Sequence, residues 1–201
     1  MDKLSESKYS NKSPNELNIE IGQWFLETPY VEKTLELPGN EKLVVNLTGL
    51  DCTTFLETVV TFTRLAENSD FTFEAFEQKL EELRYREGKN QGYPSRLHYF
   101  SDWIFDNQEK GIITDVTAEV GGTPYPNQPT FMSENPQFYP QLSDSKNLDE
   151  IKITEAMIQK GVLFYSKNRD QQIGEGNPIR GSNCYHDFHV KSGRCPYGFC
   201  N

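Results

Sequence analysis

A thiol attacks a carbonyl only as its thiolate, so the question for each cysteine is what would ionise it near neutral pH. Cys52 stands apart from the other cysteines, after Gly49-Leu50-Asp51 and before Thr53-Thr54-Phe55-Leu56-Glu57-Thr58. Gly49 breaks the preceding segment, Asp51 is a helix N-cap residue, and Cys52 falls in the first helical turn. Unpaired amides at a helix start carry partial positive charge, which lowers a thiol pKa from its ordinary ~8.5. The same amides stabilise the oxyanion of a tetrahedral intermediate. Asp51 works against activation, because a nearby carboxylate raises a thiol pKa. The competing reading is a small buried hydrophobe, the usual state of such a cysteine.

The other chemistry-bearing residues fall in two places. Arg96 and His98 lie close together in the middle of the chain, and Arg96 could pair with a carboxylate. Cys184, His186, His189, Cys195 and Cys200 crowd the end. Their spacing, C-x-H-x2-H-x5-C-x4-C, offers thiolate and imidazole ligands of the kind that hold zinc. It matches no common zinc module, and neither a metal nor another cofactor is expected.

Elements that position these residues are legible in the periodicity. Residues 1–12 are polar and read as disordered. Ser13, Pro14 and Glu16 form a helix start with a capping box, and Leu17, Ile21, Trp24 and Phe25 give its buried face. Leu43 to Leu47 reads as a short strand. The helix begun at Cys52 is apolar at Phe55, Leu56, Val59, Val60, Phe62 and Leu65, which makes it central to the core. A further helix spans about Phe73 to Tyr85. Gly92-Tyr93-Pro94 is a turn, with Ser95 capping a helix from Arg96 to about Asn107. On that helix Arg96 and His98 would project roughly 200° apart and need not face one site. Ile112 to Val120 suggests a strand or hairpin, Pro124, Pro126 and Pro129 a loop. A last helix runs from about Leu148 to Lys160, capped by Asn147.

The chain has 201 residues, enough for one domain with a real core. Its net charge of −10 repels phosphate backbones, so nucleic acid is not an expected partner. No apolar run approaches the ~20 residues of a membrane span. Met1 to Lys12 lacks the apolar segment of a secretion signal, which implies a cytoplasmic chain or an absent signal.

In order along the chain, Thr28-Pro29-Tyr30-Val31, Lys42 to Leu47, Gly49 to Thr58, Tyr93 to Trp103 and Phe131-Met132-Ser133 resemble the blocks of the N-acetylmuramoyl-L-alanine amidase-like family. The resemblance runs from about Ser13 to Lys160, giving an amidase-like domain at 13–160. It implies membership of the NlpC-type, papain-like cell-wall cysteine hydrolases. The implied fold is α+β, with the nucleophile helix packed on an antiparallel sheet that carries a catalytic histidine. The implied reaction is hydrolysis of the amide between N-acetylmuramic acid and L-alanine in peptidoglycan fragments, the muropeptides, without a metal. Cys52 is then the nucleophile, and Tyr30, Asp51, Arg96 and His98 are candidate substrate-binding residues. For Arg96 the ordinary alternative is a surface ion pair. For His98 it is a hydrogen-bonded structural role, and for Tyr30 a packed aromatic. The family works in the periplasm or cell envelope.

Residues 161–201 depart from that pattern. The family's histidine strand is expected after the last helix, and Gly-Glu-Gly-Asn-Pro followed by the cysteine cluster does not supply it. Read one base later, codons for Val162 to Asn168 permit Tyr-Tyr-Phe-Ile-Pro-Lys. Codons for Arg180 to Asn201 permit an apolar strand with a histidine straddling Pro196 and Tyr197. The expectation is a frameshift between about Thr154 and Val162 that leaves the chain an inactive amidase. Alternatives are a stem-peptide endopeptidase and a non-catalytic binder of cell-wall fragments.

Overall fold

A computed structural model of the chain describes residues 9, 12–119, 122–124, 129–158, 164–166, 189–190 and 193–194. The first helix, α1 (Pro14–Gln23), starts as its sequence dictates. Ser13 accepts from the Glu16 amide, and Glu16 returns a bond to the Ser13 amide at 2.8 Å. Leu17 and Ile21 are its buried residues. Trp24 and Phe25 pack on the core from just beyond its end.

Helix α2 (Cys52–Asn68) lies at the centre, flanked by α1 and by α3 (Phe73–Arg84). Its two sides feed two clusters. Val59, Phe62 and Leu65 meet Leu17, Ile21, Phe76 and Leu80, while Val60 meets Leu83, Leu97, Trp103, Ile104 and Ile113. Phe62 is the aromatic hub of the first, with ring centroids 4.8 Å from Phe76 and 6.1 Å from Phe25. Each such side chain contributes about 1.5–3 kcal/mol on burial, so α2 is firmly anchored from both sides.

After α3 come α4 (Phe100–Glu109), the single turn α5 (Phe131–Glu134) and α6 (Ser145–Ile158). Tyr93, Met132, Leu142 and Ile151 form a third cluster between the 93–95 turn, α5 and α6. Two short antiparallel ladders complete the described residues. One pairs β1 (Gly122–Pro124) with β2 (Phe164–Ser166), the other β3 (His189–Val190) with β4 (Gly193–Arg194). The described residues are thus mostly helical. Where a sheet was expected against the nucleophile helix, α1 and α3 occupy its flanks. No helix among the described residues is long and apolar enough to cross a membrane.

Four local expectations are corrected. Residues 43–47 make no ladder; their carbonyls are bound by side chains, Val44 by Arg84 and neighbouring Lys42 by the Tyr85 hydroxyl. The helix expected from Arg96 begins at Phe100 instead. Ser95 uses its hydroxyl on the Gly92 carbonyl, closing a turn, and Arg96 is extended in an antiparallel bridge with Tyr85. Residues 112–119 are irregular, because Asn107 takes the Ile112 and Ile113 amides and Gln108 that of Asp115. The last helix starts three residues early. Asp144 receives the Lys146 amide at 2.9 Å, while Asn147 turns to the Gln141 carbonyl.

Candidate active site

Cys52 is the first residue of α2 and is exposed, which sets aside the buried-hydrophobe reading. Its place is enforced by the residue before it. Asp51 is extended (φ −95°, ψ −177°), accepts from the Thr54 amide at 2.8 Å, and has its own amide bound by Thr54 Oγ1 at 2.9 Å. This reciprocal box satisfies two backbone donors at once. It takes the amides of Asp51 and Thr54, and those of Cys52 and Thr53 lie outside it.

The segment leading into the site is held from both sides. Leu50 donates to the Pro29 carbonyl at 3.0 Å and accepts from the Val31 amide at 3.1 Å, so Tyr30 pairs with Leu50 in a parallel bridge. The 28–31 block is therefore laid beside the segment that leads into Cys52, and Tyr30 stays 54% exposed there. Gly49 permits the approach: a Cβ at that position would sit 2.7 Å from Val31 Cγ2. One helical turn beyond the thiol, Glu57 forms a buried ion pair with Arg84 Nε at 2.8 Å. The same guanidinium donates to the Val44 carbonyl at 2.5 Å, tying α2, α3 and the approach segment together.

Arg96 and His98 form a second group, and the structure brings them together where a helix would have separated them. Extended backbone puts residues i and i+2 on one face, and both meet Tyr93. Arg96 lies 5.0 Å over the Tyr93 ring, and the His98 ring is 4.4 Å from it. Arg96 is not a surface pair. It is 6% exposed, with Glu36 at 2.6 Å and Glu41 at 3.3 Å. Tyr93 donates to Glu36, and Tyr85 and Gln141 donate to Glu41. Burial, with the glutamate charges, lifts both tyrosine hydroxyls far above their ordinary range. Both stay protonated donors. This hub clamps residues 36–41 to the 93–96 turn.

His98 donates from Nε2 to the Tyr93 carbonyl at 2.8 Å. Burial first, then the Arg96 charge, holds its pKa well below the usual value. It is neutral at pH 7. Because the folded state resists the proton that the unfolded chain accepts near pH 6.5, stability is full above that pH and falls as pH drops below it. A His98→Gln variant keeps a donor to Tyr93 and removes the proton site. Urea titrations between pH 7.5 and 5 are expected to show a flatter stability profile for the variant than for the parent.

The Phe131-Met132-Ser133 block is also positioned by polar contacts. The Tyr99 hydroxyl donates to Glu155 at 2.6 Å and receives the Met132 amide, and Glu155 receives the Ser133 amide. Sequence reading missed Glu36, Glu41, Glu57, Arg84 and Glu155. They look like surface charges, and only their partners, tens of residues away, reveal them. Of the terminal cluster, Cys184, His186, Cys195 and Cys200 lie outside the described residues, and His189 is described in backbone only, in β3.

A solved structure is 35% identical to this chain. It is a solved N-acetylmuramoyl-L-alanine amidase of Bacteroides uniformis, superposing with a TM-score of 0.69 over 76% of this chain and 64% of its own. The family profile described as AmiA-like, N-acetylmuramoyl-L-alanine amidase-like, matches residues 20–172. The chain belongs to the N-acetylmuramoyl-L-alanine amidase-like family. A Bacteroides fragilis protein carrying a provisional xylanase name is 33% identical, with a TM-score of 0.67 over 73% of this chain and 64% of its own. A Legionella pneumophila protein, 20% identical with a TM-score of 0.56, shares the fold alone. No curated protein matches. The amidase-like chain thus spans 64% of the length of the Bacteroides uniformis amidase, and the family profile's range includes Cys52, the Tyr30 block and the Arg96–His98 group.

Proposed function

We propose that this chain carries the nucleophile half of a cysteine amidase that cleaves the N-acetylmuramoyl-L-alanine bond of peptidoglycan fragments. The observation that carries the proposal is Cys52, exposed at the capped start of the central helix within the family-matching region. In the proposed reaction the Cys52 thiolate attacks the lactyl carbonyl carbon. The C–N bond breaks as a protonated imidazole gives its proton to the alanine nitrogen, and water then hydrolyses the thioester. The carbonyl oxygen, negative in the tetrahedral intermediate, faces the start of α2, where the helix dipole favours it.

Tyr30 forms the rim beside the thiol, and Asp51 acts through the cap. Arg96 and His98 act as a wall, holding Tyr93 and Glu36 in place. In our reading the fold is completed as in the papain-like NlpC type, by a sheet after α6 that bears the imidazole. The shifted frame encodes that sheet, and the chain as translated is inactive. The runner-up enzyme is a stem-peptide endopeptidase. The other alternative is a binder that keeps the cleft without a base. The two carboxylates nearest Cys52 in sequence lend no support to the provisional xylanase name of one relative, since glycosidases need two available carboxylates. Asp51 is engaged by Thr54, and Glu57 by Arg84.

Brief alkylation at neutral pH, with mass-spectrometric mapping, tests the nucleophile. Cys52 is expected to label quickly in the folded chain. If it stays unlabelled, the assignment fails. Incubation with a disaccharide-peptide separates the readings: disaccharide plus intact peptide marks an amidase, a shortened stem an endopeptidase, and retention without cleavage a binder.

A further inference from the structure

We propose that Asn46 is a positioning residue for Cys52, its carboxamide oxygen building the turn that delivers the nucleophile to the helix start. The inference rests on the reading of Cys52 as nucleophile. Between Asn46 and Cys52 the chain has no regular structure, yet four successive backbone N–H groups each have an acceptor. Asn46 Oδ1 takes the first two, Thr48 at 3.0 Å and Gly49 at 3.2 Å, and also the Thr48 hydroxyl at 3.0 Å. The Leu50 amide goes to Pro29, and the Asp51 amide to Thr54. The other two acceptors belong to larger constraints, the Tyr30 bridge and the α2 capping box. Asn46 is the local one, and it acts where the chain reverses.

The reversal has a geometric consequence. A side-chain acceptor two and three residues upstream closes a tight turn that backbone alone would not hold. That turn swings Gly49 against Val31, close enough that no Cβ fits, and this contact brings Leu50 into register with Pro29 and Val31. Asp51 then leaves the bridge extended, the conformation an N-cap requires. Gly49 is buried, so its amide cannot turn to water if Asn46 is lost. An amide rather than a carboxylate suits the place, since a second negative group beside Asp51 would oppose thiolate formation.

The test compares iodoacetamide alkylation of Cys52 in the full chain and in Asn46→Ala and Asn46→Ser, with the tail cysteines as internal references and melting curves to confirm folding. A thiolate population reduced by one pKa unit reacts about tenfold more slowly, and that slowing is expected for alanine. Serine makes the same turn more weakly, so roughly threefold slowing is expected there. A merely structural residue would lower the melting temperature and leave the Cys52 rate unchanged relative to the tail thiols. If the alanine variant does not fold, the serine variant decides, and a rate equal to the parent overturns the proposal. Equal Cys52 rates in parent and folded alanine variant overturn it while leaving the nucleophile reading intact. A folded parent whose Cys52 does not react overturns both.

Discussion

A chain whose reading frame is restored between Thr154 and Val162 is expected to cleave muropeptides about 100- to 10,000-fold faster than the chain as translated, the range a positioned general acid–base contributes. The proposed nucleophile needs no repair. Asp51 caps α2, Cys52 is exposed, and the approach segment is pinned by Arg84 and Tyr85. What the reaction further requires is an imidazole that takes a proton and gives it to the leaving amine. His98 is poorly suited to that work. Its Nε2 proton is bound to the Tyr93 carbonyl, and burial beside Arg96 holds the ring neutral. Cys52→Ala in the restored chain should abolish the gain, which ties the recovered activity to this thiol. The DNA across codons Thr154 to Asn201 is the quickest check. A shifted frame closed by early stops would end the frameshift idea. Robust amidase activity of the chain as translated would do the same, because the base would then already lie within it.

Parts of the molecule differ in how far the sequence alone makes them legible. Helices whose ends are written in local side chains came through: Ser13 with Glu16, and Asp51 before Cys52, each complete their boxes within four residues. The α2 apolar face was legible for the same reason, since a helix shows its burial at a fixed period. Elements set by distant partners were not. Residues 43–47 have strand composition, but Arg84 and Tyr85 claim the Val44 and Lys42 carbonyls, so no ladder forms. Arg96 has helix propensity, but its bridge to Tyr85 and its two glutamates keep it extended. The error carried into the site. On a helix Arg96 and His98 diverge, whereas on extended backbone they share Tyr93. The place of Cys52 at a helix start was legible because Asp51 and Thr54, which set it, lie within two residues of it. The Glu36–Glu41–Arg96 hub was hidden because burial, not residue type, distinguishes it from surface charge.

Arg84→Ala is expected to be the most destabilising substitution of a polar residue in the described chain, by about 3–5 kcal/mol, the cost of breaking a buried ion pair from one side. The side chains of Arg84 and Glu57 are 4% and 2% exposed. Alanine would leave the Glu57 carboxylate without its cation inside α2, the central helix. It would also strip the Val44 carbonyl of its donor, a further loss of about 1–3 kcal/mol if water does not replace it. Against a total stability of about 5–15 kcal/mol for a domain, that is enough to leave the chain marginal. The charge itself is the main liability. Replacing both partners with apolar residues of similar size, Glu57→Leu with Arg84→Met, removes the stranded carboxylate. Urea denaturation of the two single variants and the double should therefore be non-additive, with the double closer to the parent than Arg84→Ala is. Full recovery is not expected, because methionine cannot donate to Val44. Lysine at position 84 keeps the charge but lacks the planar fork that serves Glu57 and Val44 together, so Arg84→Lys should fall between parent and alanine. If Arg84→Ala costs less than about 1 kcal/mol, as exposed ion pairs do, then Glu57 is reached by water, and the bracing of the Cys52 approach segment must be assigned to Tyr85 and the Glu41 hub instead.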